Sequence, residues 1–405
     1  MSKVAVVGGG WAGIAAAIHA TAGRHQVKLF EMAPRLGGRA RSLDDGLDSG
    51  QHILIGAYSA SLALMRTVGV DPDAVLLRAP LQLRGPHDEG LRLPPGPPLI
   101  AFARGVFAHP RWPLAARVAL TAQAARWLAS GFRCAADLAV SELCAPLPRV
   151  IQTELIEPLC VAALNTPAQL ASARVFLRVL RDALFSGAGS ADLLLPRVPL
   201  AELLARPGEA WLRQHGAQLQ LGRRVMSLSE LDSFDQIVVA APSLEAARLI
   251  EPLDADWARQ ARALRFEPIV TVYVHQPDAR LPAPMLMLGE GPAQFVFDLG
   301  ALGQRAGLFA FSVSAAALCV QRGLQATGTH VLAQARKALG WTSGELVRVV
   351  AEKRATFACT PALQRPRSDI NSRVSAVGDY VAGPYPATLE GAVRSAALWY
   401  KARHG

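Results

Sequence analysis

The chain has 405 residues, 51% of them hydrophobic and 18% charged, which is enough apolar material for two cores and excludes an intrinsically disordered protein. No run of about 18 apolar residues occurs, which argues against a transmembrane helix; five cysteines (Cys134, Cys144, Cys160, Cys319, Cys359) without a C-x-x-C, and nine histidines without ligand spacing, argue against a disulfide framework or a metal site. The formal net charge of +10 calls for an anionic partner, a phospholipid surface or the phosphates of a bound nucleotide, but not nucleic acid, because the arginines are scattered among apolar residues and no nucleic-acid-binding motif is present.

The first elements read as a nucleotide-binding unit. Val4 to Val7 is a short apolar run expected as a buried parallel strand, and Gly8, Gly10 and Gly13 form G-x-G-x-x-G where it turns into a helix from Trp11 to Ala22. Gly8 permits the tight turn, Gly10 lets a pyrophosphate approach the backbone and Gly13 lets helix and strand pack closely, while the helix N-terminus offers free N–H groups. The strand Gln26 to Phe30 ends in Glu31, 18 residues after Gly13, where a carboxylate meets ribose hydroxyls. The apolar run lies inside the glycine fingerprint and lacks a cleavage region, so no export signal is read and the cytoplasm is the expected compartment. After Glu31, Pro34, Arg35, Leu36, Gly37, Gly38, Arg39 and Arg41 complete E-x-x-x-x-x-G-G-R, a second glycine pair beside a guanidinium able to hold a phosphate or an anionic flavin edge. This arrangement resembles the FAD-binding start of the flavin amine oxidase and phytoene desaturase superfamily. The resemblance implies FAD as cofactor and places Gly8, Gly10, Trp11, Ala12, Gly13, Glu31, Gly38 and Arg39 against it.

Next comes Leu47 to Gly56, an apolar segment interrupted by the polar box Asp48, Ser49, Gly50, Gln51 and His52, expected as a loop entering the site. Its D-S-G-Q-H form resembles the squalene-associated branch of the superfamily, which puts His52 on the substrate side; the alternative is a buried turn with His52 satisfied by backbone. From Asp71 to Pro98 the Pro- and Gly-rich chain with its runs LQLRG and LRLP predicts a hairpin that opens a second domain. Between Glu89 and Asp137 no acidic residue occurs, while Arg92, Arg104, Arg111, Arg117, Arg126 and Arg133 alternate with Phe102, Phe107, Trp112, Trp127 and Phe132. That pattern suits a helix in a membrane interface with Trp at the headgroups and Arg toward anionic lipid, or else a core helical pair with solvated arginines. Glu154 to Phe185 reads as helical with a break at Asn165 to Pro167, where Asn165 or Thr166 is expected to cap the following helix. The pieces PLCVAALNTP, SARVFLRVLRDALF and DLLLPRVP resemble the hydroxysqualene dehydroxylase family, also called squalene-associated FAD-dependent desaturases, in which they build the substrate domain.

Leu200 to His215 is expected as a helix, Gln218 to Ser227 as strand pairing and Asp235 to Pro242 as a buried strand, marking a return to the cofactor domain. By the resemblance, Val225 contacts the adenine through its backbone; plain sheet core is the alternative. Arg265 to His275, Met285 to Leu288, Gln294 to Leu299 and Leu308 to Ser314 read as a mixed sheet, followed by a helix from Gln325 to Leu339 and a strand from Leu346 to Phe357. No second G-x-G-x-x-G stands in this region, so electrons are expected from transient NAD(P)H contact or a separate reductase. Val374 to Val377 is a last strand of the cofactor sheet, followed by Gly378 and Asp379, whose carboxylate suits the ribityl or pyrophosphate region. Thr388 is placed to cap a helix running to about Lys401, whose N-terminus would stabilise negative charge on a reduced flavin, with Leu389 and Glu390 supplying that backbone contact by resemblance.

The expected fold is α/β: a Rossmann-like FAD-binding domain of GR2 type (residues 1–70, 193–262 and 358–405) with a discontinuous α+β substrate and membrane-facing domain (71–192 and 263–357). The resemblance implies reductive dehydroxylation of hydroxysqualene, a long isoprenoid, to squalene in squalene and hopanoid biosynthesis, with peripheral contact at the inner membrane surface. A carotenoid or phytoene-type desaturase, or another flavin amine oxidase-like oxidoreductase, is the alternative. The leaving hydroxyl needs an acid, for which His52 and Tyr385 are the candidates from their motif positions.

Overall fold

The computed structural model describes residues 1–87 and 90–404, so Glu89, one bound of the acid-free stretch, and Gly405 lie outside the described residues. A five-stranded parallel sheet carries the nucleotide-binding unit, in the order Val374–Ala376, Gln236–Val239, Lys3–Val7, Gln26–Glu31, Gln218–Leu221. Val4 to Val6 and Val238 to Val239 are fully buried, as continuous apolar runs must be when both sheet faces are covered. One cover is the helix Trp11–Ala22, whose alanines bring it close to the sheet and to the final helix, Leu389–His404. This is the Rossmann-like domain the sequence predicts, and the strands return to it from three separate stretches of chain.

The second sheet has the order Met285–Met287, Phe295–Asp298, Leu308–Val313, Phe266–His275, Glu345–Phe357. Every pairing in it is antiparallel, where a mixed sheet was expected: Met285–Met287, Phe295–Asp298 and Leu308–Val313 follow one another as hairpins, a loop joins Phe266–His275 to the edge strand Met285–Met287, and two helices return the chain to the opposite edge at Glu345–Phe357. Its side chains alternate with period two. Val270, Val272, Val274, Phe309 and Phe311 pack toward Val331 and Ala335 of the helix Leu324–Leu339, while Tyr273, Met285, Phe295 and Phe297 face the other core. A three-stranded antiparallel sheet (Leu54–Ile55, Leu193–Pro196, Leu76–Ala79) straddles the boundary expected near residue 70, and the predicted hairpin is Gln82–Arg84 with Gly90–Arg92.

Of two expectations for the intervening helices, one is corrected and one is decided. Neither Asn165 nor Thr166 caps the helix Ala173–Phe185; Ser172 does, accepting from the Val175 N–H at 3.5 Å. Asn165 instead ends the preceding helix Glu157–Leu164 in the left-handed region at φ 49°, a conformation asparagine tolerates well. From there its amide donates to the Glu267 carbonyl and to Thr356 Oγ1 (3.2 and 2.9 Å) and accepts from the Ala315 N–H (2.6 Å), tying the helix end to two strands of the antiparallel sheet. The second concerns the tryptophans, where of the two readings the sequence left open the core alternative holds. Trp112 and Trp127 are buried, not at a membrane surface: Trp112 stacks on His109 at 3.8 Å and donates to Glu154 Oε2 at 2.9 Å. Both rings face the core because the helices Pro98–Ala108 and Leu114–Ala129 need large inward side chains to fill the space beneath them.

Asn165→Ala removes three good hydrogen bonds at a buried position and places alanine at positive φ. It is expected to destabilise the protein by about 2–4 kcal/mol in chemical denaturation, and a loss below about 1 kcal/mol would show that the staple is dispensable.

Candidate active site

The loop after the first strand is shaped by close backbone approaches. A Cβ on Gly13 would lie 1.8 Å from the Gly8 carbonyl oxygen, and Gly8, at φ 110°, would carry its own 2.7 Å from the Ala240 carbonyl oxygen. Gly10 differs: a Cβ there would meet nothing nearer than Gly38 Cα at 3.9 Å, so its missing side chain leaves open room instead of allowing tight packing. Gly37 donates to the Gly9 carbonyl at 2.8 Å and brings Gly38 (φ 61°) opposite Gly10, making a two-sided glycine cradle. Glu31 braces it, accepting from the N–H groups of Gly9 (2.6 Å) and Ala33 (2.7 Å), with lone pairs left for ribose hydroxyls.

The cradle opens into a cavity of about 1180 Å³ whose walls come from both sheets. Arg39 donates to Asp379 Oδ1 and to the Ala355 carbonyl, each at 2.7 Å, which locks the G-G-R loop to the C-terminal Gly-Asp and to the long strand Glu345–Phe357. Thr388 Oγ1 accepts from the Gly391 N–H at 3.0 Å, the capping predicted for the last helix. Glu390, 1% exposed, accepts from the backbone N–H groups of Ala60 and Ser61 at 3.0 and 2.9 Å. It thereby caps the helix Ser59–Thr67, a side-chain task that sequence reasoning missed because its partners lie 329 and 330 residues away.

FAD fits this cavity on the protein's own chemistry. Two buried polar atoms among its lining residues, Trp11 Nε1 and Tyr380 Oη, have no hydrogen-bond partner among the described residues, and the Gly10–Gly38 cradle is the kind of space a Cβ would fill. Gly8, Gly10, Trp11, Ala12, Glu31, Gly38, Arg39, Val225, Gly378, Asp379, Thr388, Leu389 and Glu390 all line the cavity; Gly13 does not, and acts by packing. Val225 is 3% exposed and lies beyond the strand Gln218–Leu221, with its carbonyl taken by Arg248 Nη2 at 2.9 Å.

The polar box is stapled from three sides. Ser49 Oγ donates to the Arg39 carbonyl (2.6 Å), Tyr273 Oη donates to the Asp48 carbonyl (2.9 Å), and the Asp48 carboxylate accepts from Ser42 Oγ (2.7 Å) and the Leu200 N–H (3.0 Å). Burial pushes the Asp48 carboxyl up to about 6 against those two hydrogen bonds. His52 lines the cavity with Nδ1 3.0 Å from the Gly50 carbonyl, which requires a proton on Nδ1 and leaves Nε2 an acceptor in the neutral ring. Burial holds its pKa below the usual histidine range. Tyr385 lies elsewhere on the wall, where its Oη accepts from Arg178 Nη2 at 2.8 Å. Arg178 and Arg394 stand over its ring at 4.8 and 5.3 Å, and Arg178 Nε is held by Asp182 at 3.0 Å. Burial, then the neighbouring Asp182 charge, raises the Tyr385 pKa, so the phenol keeps its proton. Arg178 and Asp182 escaped sequence reasoning; their i, i+4 spacing, with Asp182 the one acid on a helix that also carries Arg174 and Arg181, was the available signal.

A glycine-cradled dinucleotide site set between a parallel sheet and an apolar antiparallel one defines an FAD-dependent oxidoreductase. The chain belongs to the flavin-containing amine oxidoreductase family, whose model matches residues 11–284. It is 26% identical to a hydroxysqualene dehydroxylase of Rhodopseudomonas palustris and 24% identical to one of Zymomonas mobilis, in each case over 98% of this chain and 97% of the relative. A zeta-carotene desaturase of Zea mays is 37% identical over 73 residues, 17% of this chain and 13% of that protein. The fold is shared with an oxidoreductase from Methanosarcina mazei (TM-score 0.78, 14% identity, covering 98% of this chain and 100% of that one).

Two outcomes test this geometry. Gly10→Val puts a side chain into open cradle space and is expected to abolish FAD retention while leaving circular dichroism intact, whereas Gly13→Ala, with its clash against Gly8, loses the folded domain itself. For Asp48 the raised pKa means that its contribution to stability is fully present below about pH 4 and is lost as pH rises through about 6. Asp48→Asn should therefore gain on the parent between pH 4 and pH 7 by on the order of 2–3 kcal/mol in denaturant melts, and a pH-independent difference would refute the burial argument.

Proposed function

We propose that the protein removes the hydroxyl group of hydroxysqualene to give squalene, consuming reduced FAD. The observation that carries this is coverage: the likeness to hydroxysqualene dehydroxylases extends over nearly the whole chain, substrate domain included, while the likeness to a carotenoid desaturase stops after a short segment. The cavity supports it as well, since Leu83, Leu159, Ile269, Met285 and Phe295 give it a large apolar wall, beside which Asp182 and Tyr385, the latter bonded by Arg178, form a polar cluster.

Overall, the carbinol C–O bond breaks with uptake of one proton, water leaves, and a hydride forms the new C–H bond. The flavin, bound in its reduced form, supplies that hydride. Tyr385 supplies the proton: it is held as the neutral phenol, and once the proton has passed from Oη to the leaving hydroxyl, the Arg178 N–H and the two guanidinium groups over the ring stabilise the tyrosinate. His52, with Nε2 free to accept, orients the hydroxyl rather than protonating it. The apolar walls exclude water that would recapture the allylic cation, and Asp182 offers a nearby negative charge to it. An external donor, NAD(P)H or a reductase, restores the reduced cofactor, and a hydrocarbon product directs the enzyme to a phospholipid surface. No helix among the described residues is long and apolar enough to cross a membrane; the contact proposed is a peripheral one.

Under anaerobic conditions, adding hydroxysqualene to the dithionite-reduced holoenzyme should reoxidise the flavin and yield one squalene per flavin. Bleaching of oxidised flavin by squalene or phytoene would instead establish a desaturase. Tyr385→Phe should retain FAD and lower the single-turnover rate by about 10²-fold or more; a loss of less than threefold would remove Tyr385 as the acid.

A further inference from the structure

Among the described residues, six of the fifteen exposed large hydrophobic side chains fall on two consecutive helices or their ends: Leu99, Ile100, Phe107, Leu114, Val118 and Leu128. The core does not account for them, because the same helices already turn Val106, Leu120 and Trp127 inward. Leu114 and Val118 lie one turn apart on one face. Arg104, Arg111, Arg126 and Arg133 are exposed in the same stretch, which has no acidic residue before Asp137. An outward face that is apolar and cationic, on a segment whose own sequence supplies no acidic side chain, is complementary to an anionic lipid interface, where acyl chains take the apolar groups and headgroups the guanidiniums.

A second cavity, of about 280 Å³, opens beside this face. Its outer rim is exposed at Pro95, Gly96, Pro97 and Ala188, directly before the turn that carries Leu99 and Ile100. Its inner end is apolar, and two residues there, Leu81 and Ala191, also line the large cavity that holds the flavin site. Leu81 is only half-buried, so a side-chain rotation suffices to move the partition between the two spaces.

We propose that this helix pair docks on an anionic phospholipid surface and that the small cavity beneath Pro94 to Pro98 is the portal through which hydrocarbon passes between that surface and the flavin-side cavity, with Leu81 as its gate. The identity of the cargo rests on the substrate proposed above; the docking and the route do not. The rim prolines keep the mouth open without a regular element that would seal it, and the lining is apolar save for Asp192, whose carboxylate is engaged by Arg78 at 3.2 Å, so that a hydrocarbon meets little polar surface on the way.

The holoenzyme is tested with vesicles of phosphatidylglycerol and of phosphatidylcholine. Co-sedimentation with the anionic vesicles is expected to be roughly tenfold stronger and to weaken with salt, and the double substitution Leu99→Asp, Ile100→Asp to reduce it by a similar factor while the flavin stays bound. Binding indifferent to lipid charge and to these exposed substitutions overturns the docking. The route is read without turnover, from the rate at which a vesicle-borne, nitroxide-labelled hydrocarbon chain quenches flavin fluorescence. Ala188→Trp at the exposed rim should slow quenching several-fold and Leu81→Ala at the partition should speed it; equal rates in parent and both variants overturn the portal. If quenching follows this pattern but hydroxysqualene is not turned over, the substrate proposed above fails and the portal stands.

Discussion

The backbone of Gly13 lies so close to the Gly8 carbonyl that no side chain can stand between them, and Gly8 in turn meets Ala240, just past the end of the neighbouring strand Gln236–Val239. These contacts set the helix Trp11–Ala22 against the parallel sheet at a spacing that leaves the next glycine, Gly10, facing open space opposite Gly38. Packing and binding are thus divided among adjacent residues of one short loop. Glu31 and Arg39 keep the division rigid, the first by holding the loop's N–H groups, the second by joining it to Asp379. Three walls of the flavin-side cavity are referenced to the neighbouring G-G-R loop, because the polar box, the long strand and the C-terminal Gly-Asp are hydrogen-bonded to it through Ser49, the Ala355 carbonyl and Asp379.

The substrate side works by the opposite logic. There the antiparallel sheet turns one row of alternating side chains toward its own covering helix and the other toward the cavity, so that a wall of Met285, Phe295 and Ile269 needs no hydrogen bonds to define it. Against such a wall a few polar groups acquire unusual weight: in a low-dielectric setting, Arg178, Asp182 and Tyr385 are the positions at which charge can be created or moved. A long hydrocarbon can be held by shape while its one functional group is located by that cluster.

Local patterns in the sequence revealed the elements, and distant pairings escaped it. Val4–Val7, the three glycines, Glu31 and the Thr388 cap were legible because each signal lies within a few residues of the feature it encodes. The sense of the second sheet was not, since strand spacing alone does not say which edges pair. Asn165 sits at a helix break in either reading, but whether it caps the next helix or staples the previous one to Glu267 and Thr356 depends on strands a hundred or more residues away. The tryptophans left two readings open for a related reason. Basic and aromatic residues in alternation do mark a two-sided helix, yet which side faces the core is decided by the space beneath it, here filled by Trp112 and Trp127.

The carboxylate of Glu390 closes the N-terminus of a helix more than three hundred residues earlier, and the strand Val374–Ala376 forms one edge of the sheet that Lys3–Val7 begins. In time rather than space, this makes the cofactor site one of the last parts of the molecule to be finished. During synthesis the glycine loop emerges early, but its sheet lacks an edge and the helix Ser59–Thr67 lacks its cap until the final helix has left the ribosome. Loop closures of that length make for slow folding. The cavity that suits FAD is lined by both early and late segments, so a cofactor bound there would trap the completed arrangement once it forms.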